Sequence, residues 1–135
     1  FAKNIYSYDY VVLLQPTSPI RDEKDIVKSI EKVEKEKLFK LTSLSKSLEH
    51  PYESVFLKNK SFKSFFPKKN YTRRQDFDKN SYFINGSLYI YHKSIIEGLK
   101  INNKSKNGYY IMKKINSFDV DDHEDLKIVR KILRK

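Results

Sequence analysis

The stretch that most constrains this chain is Tyr10–Arg21, YVVLLQPTSPIR, in which a continuous apolar run stops at a rigid turn. A short apolar run bounded by turn residues is typical of a strand that is buried on both faces of a parallel sheet. The two prolines stiffen the turn because each restricts its own φ angle. Ligands of open α/β sheets bind just beyond the carboxyl ends of strands. We therefore expect ligand contacts from the polar residues of this turn, Gln15, Thr17 and Ser18.

The residues after the turn predict a helix. Asp22 can serve as its N-cap, and Asp25 adds a second acidic residue near the start. Over 23–37 the apolar residues recur at helical spacing and form one stripe on a charged helix. A strand, a turn and an amphipathic helix form a βα unit, which indicates the α/β class and a parallel sheet. Further strands are predicted at 38–45, 85–91 and 109–112, and further helices at 94–99 and 122–133.

The middle of the chain predicts an excursion from this sheet. Ser54–Leu57 and Ser61–Phe66 are short, aromatic-rich runs on either side of a polar turn, which is typical of a β-hairpin. The basic loop Pro67–Tyr82 follows, and loops of this length are usually functional or disordered. We therefore predict a core at 1–50 and 84–135 and an excursion at about 51–83. The exposed phenylalanines of the hairpin would need a partner surface, namely Phe62, Phe65 and Phe66.

Composition limits the classes of protein that remain. The chain has 135 residues and no cysteine, so it is long enough for one domain, and disulfides and thiolate metal sites are excluded. No apolar run approaches the length of a membrane span, which favours a cytoplasmic protein without a membrane partner. The net charge of +11 is compatible with an anionic partner such as nucleic acid. Because the lysines are spread along the chain, we favour compositional drift.

A pair of carboxylates near the C-terminus suggests a metal. In an extended segment Asp119 and Asp121 lie on the same side of the backbone, where they repel each other unless a cation intervenes. Mg²⁺ suits such a pair, since it binds one or two carboxylates together with phosphates and waters. The alternative is capping of the last helix, which explains Asp122 but not Asp119. Both interpretations stay open at this point.

Five motifs follow one another along the chain. They are Leu13–Arg21 (LLQPTSPIR), His50-Pro51, Arg73–Asp76 (RRQD), Asn85–Ile90 (NGSLYI) and Asp119–Asp121 followed by Glu124–Leu126. In sequence, order and approximate spacing, over essentially all 135 residues, they resemble the motifs of the acylneuraminate cytidylyltransferases, the CMP-sialic acid synthetases, which have LLQPTSPLR and NGAIYI at the first and fourth positions. The resemblance implies a Rossmann-like, three-layer nucleotidyltransferase sheet that is mostly parallel, with an inserted β-hairpin as a dimerisation element.

The resemblance also implies a reaction. The family transfers CMP from CTP to a nine-carbon α-keto acid sugar, releases pyrophosphate, requires Mg²⁺ and acts as a homodimer. Catalysis of this kind consists mainly of positioning and charge neutralisation. Carried over by motif, substrate contacts fall on Gln15, Thr17, Ser18, Arg21, Arg74, Gln75, Asn85 and Tyr89, and the catalytic metal ligands are Asp119 and Asp121.

Two departures from the family pattern affect what we expect of the activity and of the sugar substrate. The 135 residues do not include the family's N-terminal segment that cradles CTP, so we expect a C-terminal portion that lacks the N-terminal strands and is inactive alone. Phe83 stands where the family often has an arginine, which leaves legionaminic, pseudaminic and Kdo-type acids open as substrates. The alternatives are an inactive remnant and a nucleic-acid-binding module that stacks bases on its aromatic residues. A nucleic-acid binder has no use for paired carboxylates, which makes this partner the less favoured one.

Overall fold

The computed structural model describes residues 7–66, 77, 80–99 and 106–134. The chain divides into two compact units, Phe1–Ser45 with Ile84–Lys135, and Lys46–Phe83. Short 3₁₀ turns lie at Pro51–Glu53 and Lys114–Ser117. The strands and helices, in chain order, are β1 (Tyr10–Leu14), α1 (Glu23–Glu36), β2 (Lys40–Lys46), β3 (Val55–Lys58), β4 (Ser61–Ser64), β5 (Tyr82–His92), α2 (Lys93–Ile96), β6 (Asn107–Ile111) and α3 (His123–Leu133).

Four strands form the main sheet in the order β1-β5-β2-β6. β1 pairs antiparallel with β5, with Leu14 opposite Leu88, and β2 pairs parallel with β6. The His92 amide donates to the Phe39 carbonyl at one end of the β5–β2 pair, and the Ser47 amide donates to the Ser81 carbonyl at the other. These two strands therefore run in opposite directions, and β5 is antiparallel to both of its neighbours. The α/β class is confirmed, whereas the three-layer nucleotidyltransferase arrangement stays a prediction.

Helix α1 forms where its sequence pattern predicts it. The Asp22 carboxylate caps the first turn by accepting from the Lys24 amide at 2.9 Å. The helix ends at Lys37, whose φ of 51° is left-handed. Its apolar stripe packs on one face of the sheet through buried Val33, with Leu41, Leu88 and Ile90 opposite. Each such buried aliphatic side chain contributes roughly 1.5–3 kcal/mol. Within the described ranges, every helix is too short or too polar to cross a lipid bilayer.

Strand β1 differs from its prediction. The continuous apolar run predicted a strand buried on both faces, but β1 lies at the edge of the described sheet with β5 as its neighbour. Val12, Leu13 and Leu14 are 36%, 46% and 38% exposed. A strand is buried only when elements cover both faces and both edges, and the sequence of the strand alone cannot supply those elements. The prediction of complete burial for β1 was therefore wrong.

The second unit contains the predicted hairpin. Strands β3 and β4 pair antiparallel around Asn59, which adopts the positive φ of 55° that such tight turns favour. Phe62 and Phe65 are 68% and 62% exposed, so the predicted exposure of the hairpin phenylalanines is confirmed. At the start of this unit, His50 caps the 3₁₀ turn by accepting from the Tyr52 amide at 3.3 Å. Most of the predicted basic loop lies outside the described residues.

Candidate functional site

Three segments that are far apart in the sequence meet beside the carboxyl end of β1. They are the turn after β1, the Asn85-Gly86 pair of β5 and the segment that contains Asp119. The Ser18 hydroxyl, which is fully buried, donates to Asp119 Oδ1 at 3.2 Å. The Val120 amide donates to the Thr17 carbonyl at 2.8 Å, while the Thr17 residue itself is exposed. The structure thus brings Ser18 and Asp119, two residues that the motifs single out, into direct contact.

Arg21 fastens the turn to strand β5. Its Nη2 donates to the Gln15 carbonyl at 2.8 Å, and its Nη1 donates to the Ser87 carbonyl at 2.5 Å. A guanidinium can make such paired bonds because its N–H groups form a planar, rigid fork. Burial lowers the pKa of Arg21 below its ordinary value. Inside the turn, the Ser18 amide donates to the Gln15 carbonyl at 3.2 Å, so Gln15 is held from two directions.

Gly86 provides the space in which the Gln15 side chain lies. The φ angle of Gly86 is +73°, in the left-handed region that L side chains rarely adopt. A Cβ at this position would lie 2.5 Å from Gln15 Oε1 and 3.9 Å from Asp119 Oδ2. The amide of Gln15 and the carboxylate of Asp119 therefore face the same point of the backbone. Glycine adopts this φ without strain, and a Cβ here would displace the Gln15 side chain from its position.

The Asn85 side chain is buried, and its hydrogen bonds are all made within the protein. Asn85 is 4% exposed. Its Oδ1 accepts from Ser43 Oγ at 2.6 Å and from the Ser87 amide at 3.1 Å. Its Nδ2 donates to Ser45 Oγ at 2.7 Å and to Met112 Sδ at 3.6 Å. A carboxamide offers two N–H donors and two oxygen lone pairs, so each has a partner.

Three buried serines extend this arrangement, and the sequence analysis missed them. Ser43 Oγ accepts from the Leu88 amide at 2.9 Å. Ser45 Oγ donates to Ser117 Oγ at 2.5 Å, and Ser117 Oγ donates to the Lys114 carbonyl at 2.9 Å. A signal was present in β2, where Ser43 and Ser45 follow Leu41 at alternate positions and share its buried face. The alternation predicted the strand correctly, but it did not indicate that these serines lie on the buried face.

The two carboxylates of the candidate metal site differ in their surroundings. Asp119 is half-buried against Ser18, whereas Asp121 is exposed and its amide donates to Asp125 Oδ2 at 3.1 Å. Asp122 caps α3 by accepting from the amides of Glu124 and Asp125 at 2.8 and 2.9 Å. The capping interpretation therefore accounts for Asp122. It does not account for Asp119, which bonds to Ser18 in the turn after β1 and not to the first turn of α3.

Asp119 and Asp121 are the candidate ligands for Mg²⁺. An open cleft of about 480 Å³ adjoins the segment and is lined by Val120, Asp121, Asp122, His123 and Leu126. In the described part of the chain, no group of three or more His, Asp or Glu side chains is arranged to hold a metal. One or two carboxylates are the usual protein contribution to a Mg²⁺ that also binds phosphates and waters. Asp121 lines the cleft and Asp119 does not, so Asp119 and Asp121 remain separate candidates for that contribution.

Tyr89, another predicted substrate contact, lies on a different face of β5 from the buried core residues. Tyr89 stacks on Tyr91 with ring centroids 6.1 Å apart, on the face of β5 opposite Leu88 and Ile90. This face is also approached by Lys40, whose Nζ lies 5.6 Å from the centroid of the Tyr91 ring. The predicted sugar contacts of the basic loop, Arg74 and Gln75, lie outside the described residues.

Comparison with known proteins gives one relevant likeness. The chain is 28% identical over 136 aligned residues to the post-translational flagellin modification protein B of Campylobacter coli. The alignment covers 95% of this chain and 54% of that protein, so the chain spans about half the length of the curated relative it matches. No protein-family model matches the chain.

Proposed function

We propose that this chain is part of a cytidylyltransferase that forms a CMP-sugar from CTP and a sialic-acid-like nine-carbon keto acid. The observation that carries the proposal is the Ser18–Asp119 hydrogen bond beside the Gln15–Gly86 contact. These contacts join residues from three of the five motifs on which the resemblance to CMP-sialic acid synthetases rests. The flagellin-modifying relative supports a role in modification chemistry. Attachment of an acidic sugar to a protein requires an activated sugar, and a CMP-sugar is such a donor.

The proposed reaction assigns positioning roles to this chain. The anomeric hydroxyl of the sugar loses its proton and forms a bond to the α-phosphorus of CTP, while the bond to the β-phosphate breaks and pyrophosphate leaves. Gln15 orients the sugar from the rigid turn, which Arg21 and Ser18 hold in place. Arg74 pairs with the sugar carboxylate, since a guanidinium binds a carboxylate through two parallel hydrogen bonds. Such positioning supplies much of the rate enhancement in reactions of this kind.

The carboxylates complete the proposed site. Asp119 and Asp121 would hold Mg²⁺, which when bound offsets the negative charge of the phosphates. The exposed hairpin phenylalanines form the proposed homodimer contact. Phe83 stands where the family that the chain resembles often has an arginine. Legionaminic, pseudaminic and Kdo-type acids are therefore proposed as alternatives to sialic acid.

The test uses the full-length protein that contains this chain. The protein is incubated with CTP, Mg²⁺ and a panel of acidic keto sugars, and CMP-sugar and pyrophosphate are measured by mass spectrometry and a coupled assay. We expect CMP-sugar with at least one acid of the panel. A folded protein that forms no CMP-sugar with any of them would refute the proposed function.

The metal assignment is tested by replacing one carboxylate. Asp121→Ala is expected to lower Mg²⁺-dependent turnover by at least roughly 100-fold, because a ligand of the charge-neutralising cation is lost. Asp122→Ala is the matched control, since Asp122 is the adjacent carboxylate and caps α3. It is expected to reduce stability by about 1 kcal/mol and to retain turnover. Full Mg²⁺-dependent activity in Asp121→Ala would contradict the assignment.

A further inference from the structure

The Asn85 amide lies between the buried core and the proposed site. We infer that Asn85 is a positioning residue, which sets the backbone of Gly86 and through it the positions of Gln15 and Asp119. This inference replaces the direct sugar contact that the motif alone suggested. It rests on the proposed function for what Gln15 touches, but its structural part can be tested without turnover.

Asn85 acts on Gly86 through a local turn that its side chain closes. The Ser87 amide donates to Asn85 Oδ1 at 3.1 Å, which is the side-chain-to-backbone bond of an Asx turn. The residue inside the turn is Gly86, at a φ of +73°. Gln15 Oε1 lies against that glycine, 2.5 Å from where a Cβ would be. A change in the turn therefore moves the surface on which the Gln15 amide rests.

Hydrogen bonds of the Asn85 side chain attach this turn to the rest of the fold. Asn85 bonds to Ser43 and Ser45 of strand β2, both fully buried. Ser45 in turn bonds to Ser117, two residues before Asp119. One amide thus links β5, β2 and the segment that carries the candidate metal ligand. A buried polar group that loses its partner destabilises the fold, so the members of this arrangement hold one another in place.

The same geometry argues against a substrate contact. The Asn85 residue is 4% exposed, and both N–H groups and both lone pairs of its amide have partners inside the protein. A sugar hydroxyl could bond to this amide only by displacing one of them. The Gln15 side chain, at the end of β1, carries the contact instead.

The kinetic test compares Asn85→Ala with Ser45→Ala in the full-length protein. Ser45 is fully buried and cannot touch a substrate, yet its loss removes a partner of Asn85. We expect both variants to lower kcat/KM for the sugar by about 10-fold or more and to change the KM for CTP by less than about twofold. Ser29→Ala is the control, because Ser29 is equally buried but bonds to the Asp25 carbonyl within α1. It is expected to leave sugar kinetics unchanged.

A wild-type KM for the sugar in Ser45→Ala, together with a raised KM in Asn85→Ala, would overturn the inference. That result would mean that Asn85 touches the sugar directly. If Asn85→Ala does not fold, Asn85→Asp takes its place, because it retains the oxygen that closes the turn over Gly86. The same comparison with Ser45→Ala then applies.

A spectroscopic test on the 135-residue chain separates this inference from the proposed function. In ¹⁵N–¹H correlation spectra, Ser45→Ala is expected to shift the Gly86 amide and the Gln15 side-chain amide, although Ser45 bonds to neither. Gly98, distant from the serine arrangement in the sequence, serves as an internal reference, and Ser29→Ala should leave both signals in place. Unchanged Gly86 and Gln15 signals in Ser45→Ala would refute the positioning role. Shifted signals in a protein without transferase activity would support the positioning role and refute the proposed function.

Discussion

Replacement of Gly86 by alanine has two effects, backbone strain at a left-handed φ and a collision with the Gln15 side chain. A comparison with Gly98 separates them. Two glycines have nearly the same left-handed conformation, Gly86 at a φ of +73° and Gly98 at +69°. A Cβ on Gly98 would meet nothing within 4 Å, whereas a Cβ on Gly86 would meet Gln15 Oε1 at 2.5 Å. Gly98→Ala is therefore a control with the same strain and no collision.

The expected loss of stability follows from the backbone strain, and the expected loss of activity follows from the collision with Gln15. An alanine in the left-handed region costs about 1–2 kcal/mol, so both variants should lose that amount of unfolding free energy. In a chain of this length, such a loss lowers the melting temperature by roughly 3–10 °C. In Gly86→Ala alone, the Gln15 amide has to withdraw by about 1 Å to reach an ordinary contact distance. A misplacement of this size can reduce catalytic efficiency about 100-fold.

The assay has two readouts. Urea denaturation of the 135-residue chain measures the stability loss, and the Gln15 side-chain amide signal reports its displacement. Steady-state kinetics of the full-length protein then gives kcat/KM for the sugar. We expect similar stability in the two variants and a displaced Gln15 signal with impaired sugar kinetics in Gly86→Ala alone. An unshifted Gln15 signal in Gly86→Ala, or an equal kinetic defect in Gly98→Ala, would refute the reasoning.

The remaining predictions concern stability and are all measured by urea denaturation. Ser87 Oγ is buried without a hydrogen-bond partner among the described residues, so Ser87→Ala should raise stability by roughly 1 kcal/mol, and a loss would contradict this. Asp25 is buried and accepts from Tyr110 and Asn116, so Asp25→Ala should cost about 1–3 kcal/mol. The exposed Glu23→Ala in the same helical turn should stay within about 0.5 kcal/mol, and equal losses would contradict the assigned contacts. Burial, followed by the Asp25 charge, raises the pKa of Tyr110 above its ordinary value of 10.0. The unfolded chain therefore ionises first, so stability that is present below pH 10.0 should fall as the pH rises above it. Tyr110→Phe should flatten this fall, and an unchanged slope would argue against it.

Much of the local structure could be predicted because local interactions specify it. Helix α1 starts at its predicted N-cap because the Asp22 carboxylate satisfies an amide of the first turn, whatever the rest of the fold does. Asp122 does the same for α3. The hairpin forms around a short polar turn whose Asn59 tolerates a positive φ. Each of these features depends on residues a few positions apart.

The site was predictable only as a set of segments. The motifs singled out Gln15, Ser18 and Asp119, and in the structure Ser18 bonds to Asp119 while Gln15 lies against Gly86. The role of Asn85 could not be read in this way, because its partners Ser43, Ser45 and Met112 lie 27 to 42 positions away in the sequence. The sequence of a strand does not show that its serines are buried, because their burial depends on a hydrogen-bond partner from another strand.

By itself, the sequence determined the α/β class, the caps of α1 and α3, the hairpin and the stiff turn at Tyr10–Arg21. These features follow from propensity, periodicity and capping, which act within a few residues of the chain. The tertiary structure alone decided that β5 runs antiparallel between β1 and β2, and that β1 lies at an edge of the described sheet. It also decided that Gly86 makes room for Gln15. Strand order, burial and steric space depend on which distant residues come into contact. A local sequence pattern carries no information about those contacts.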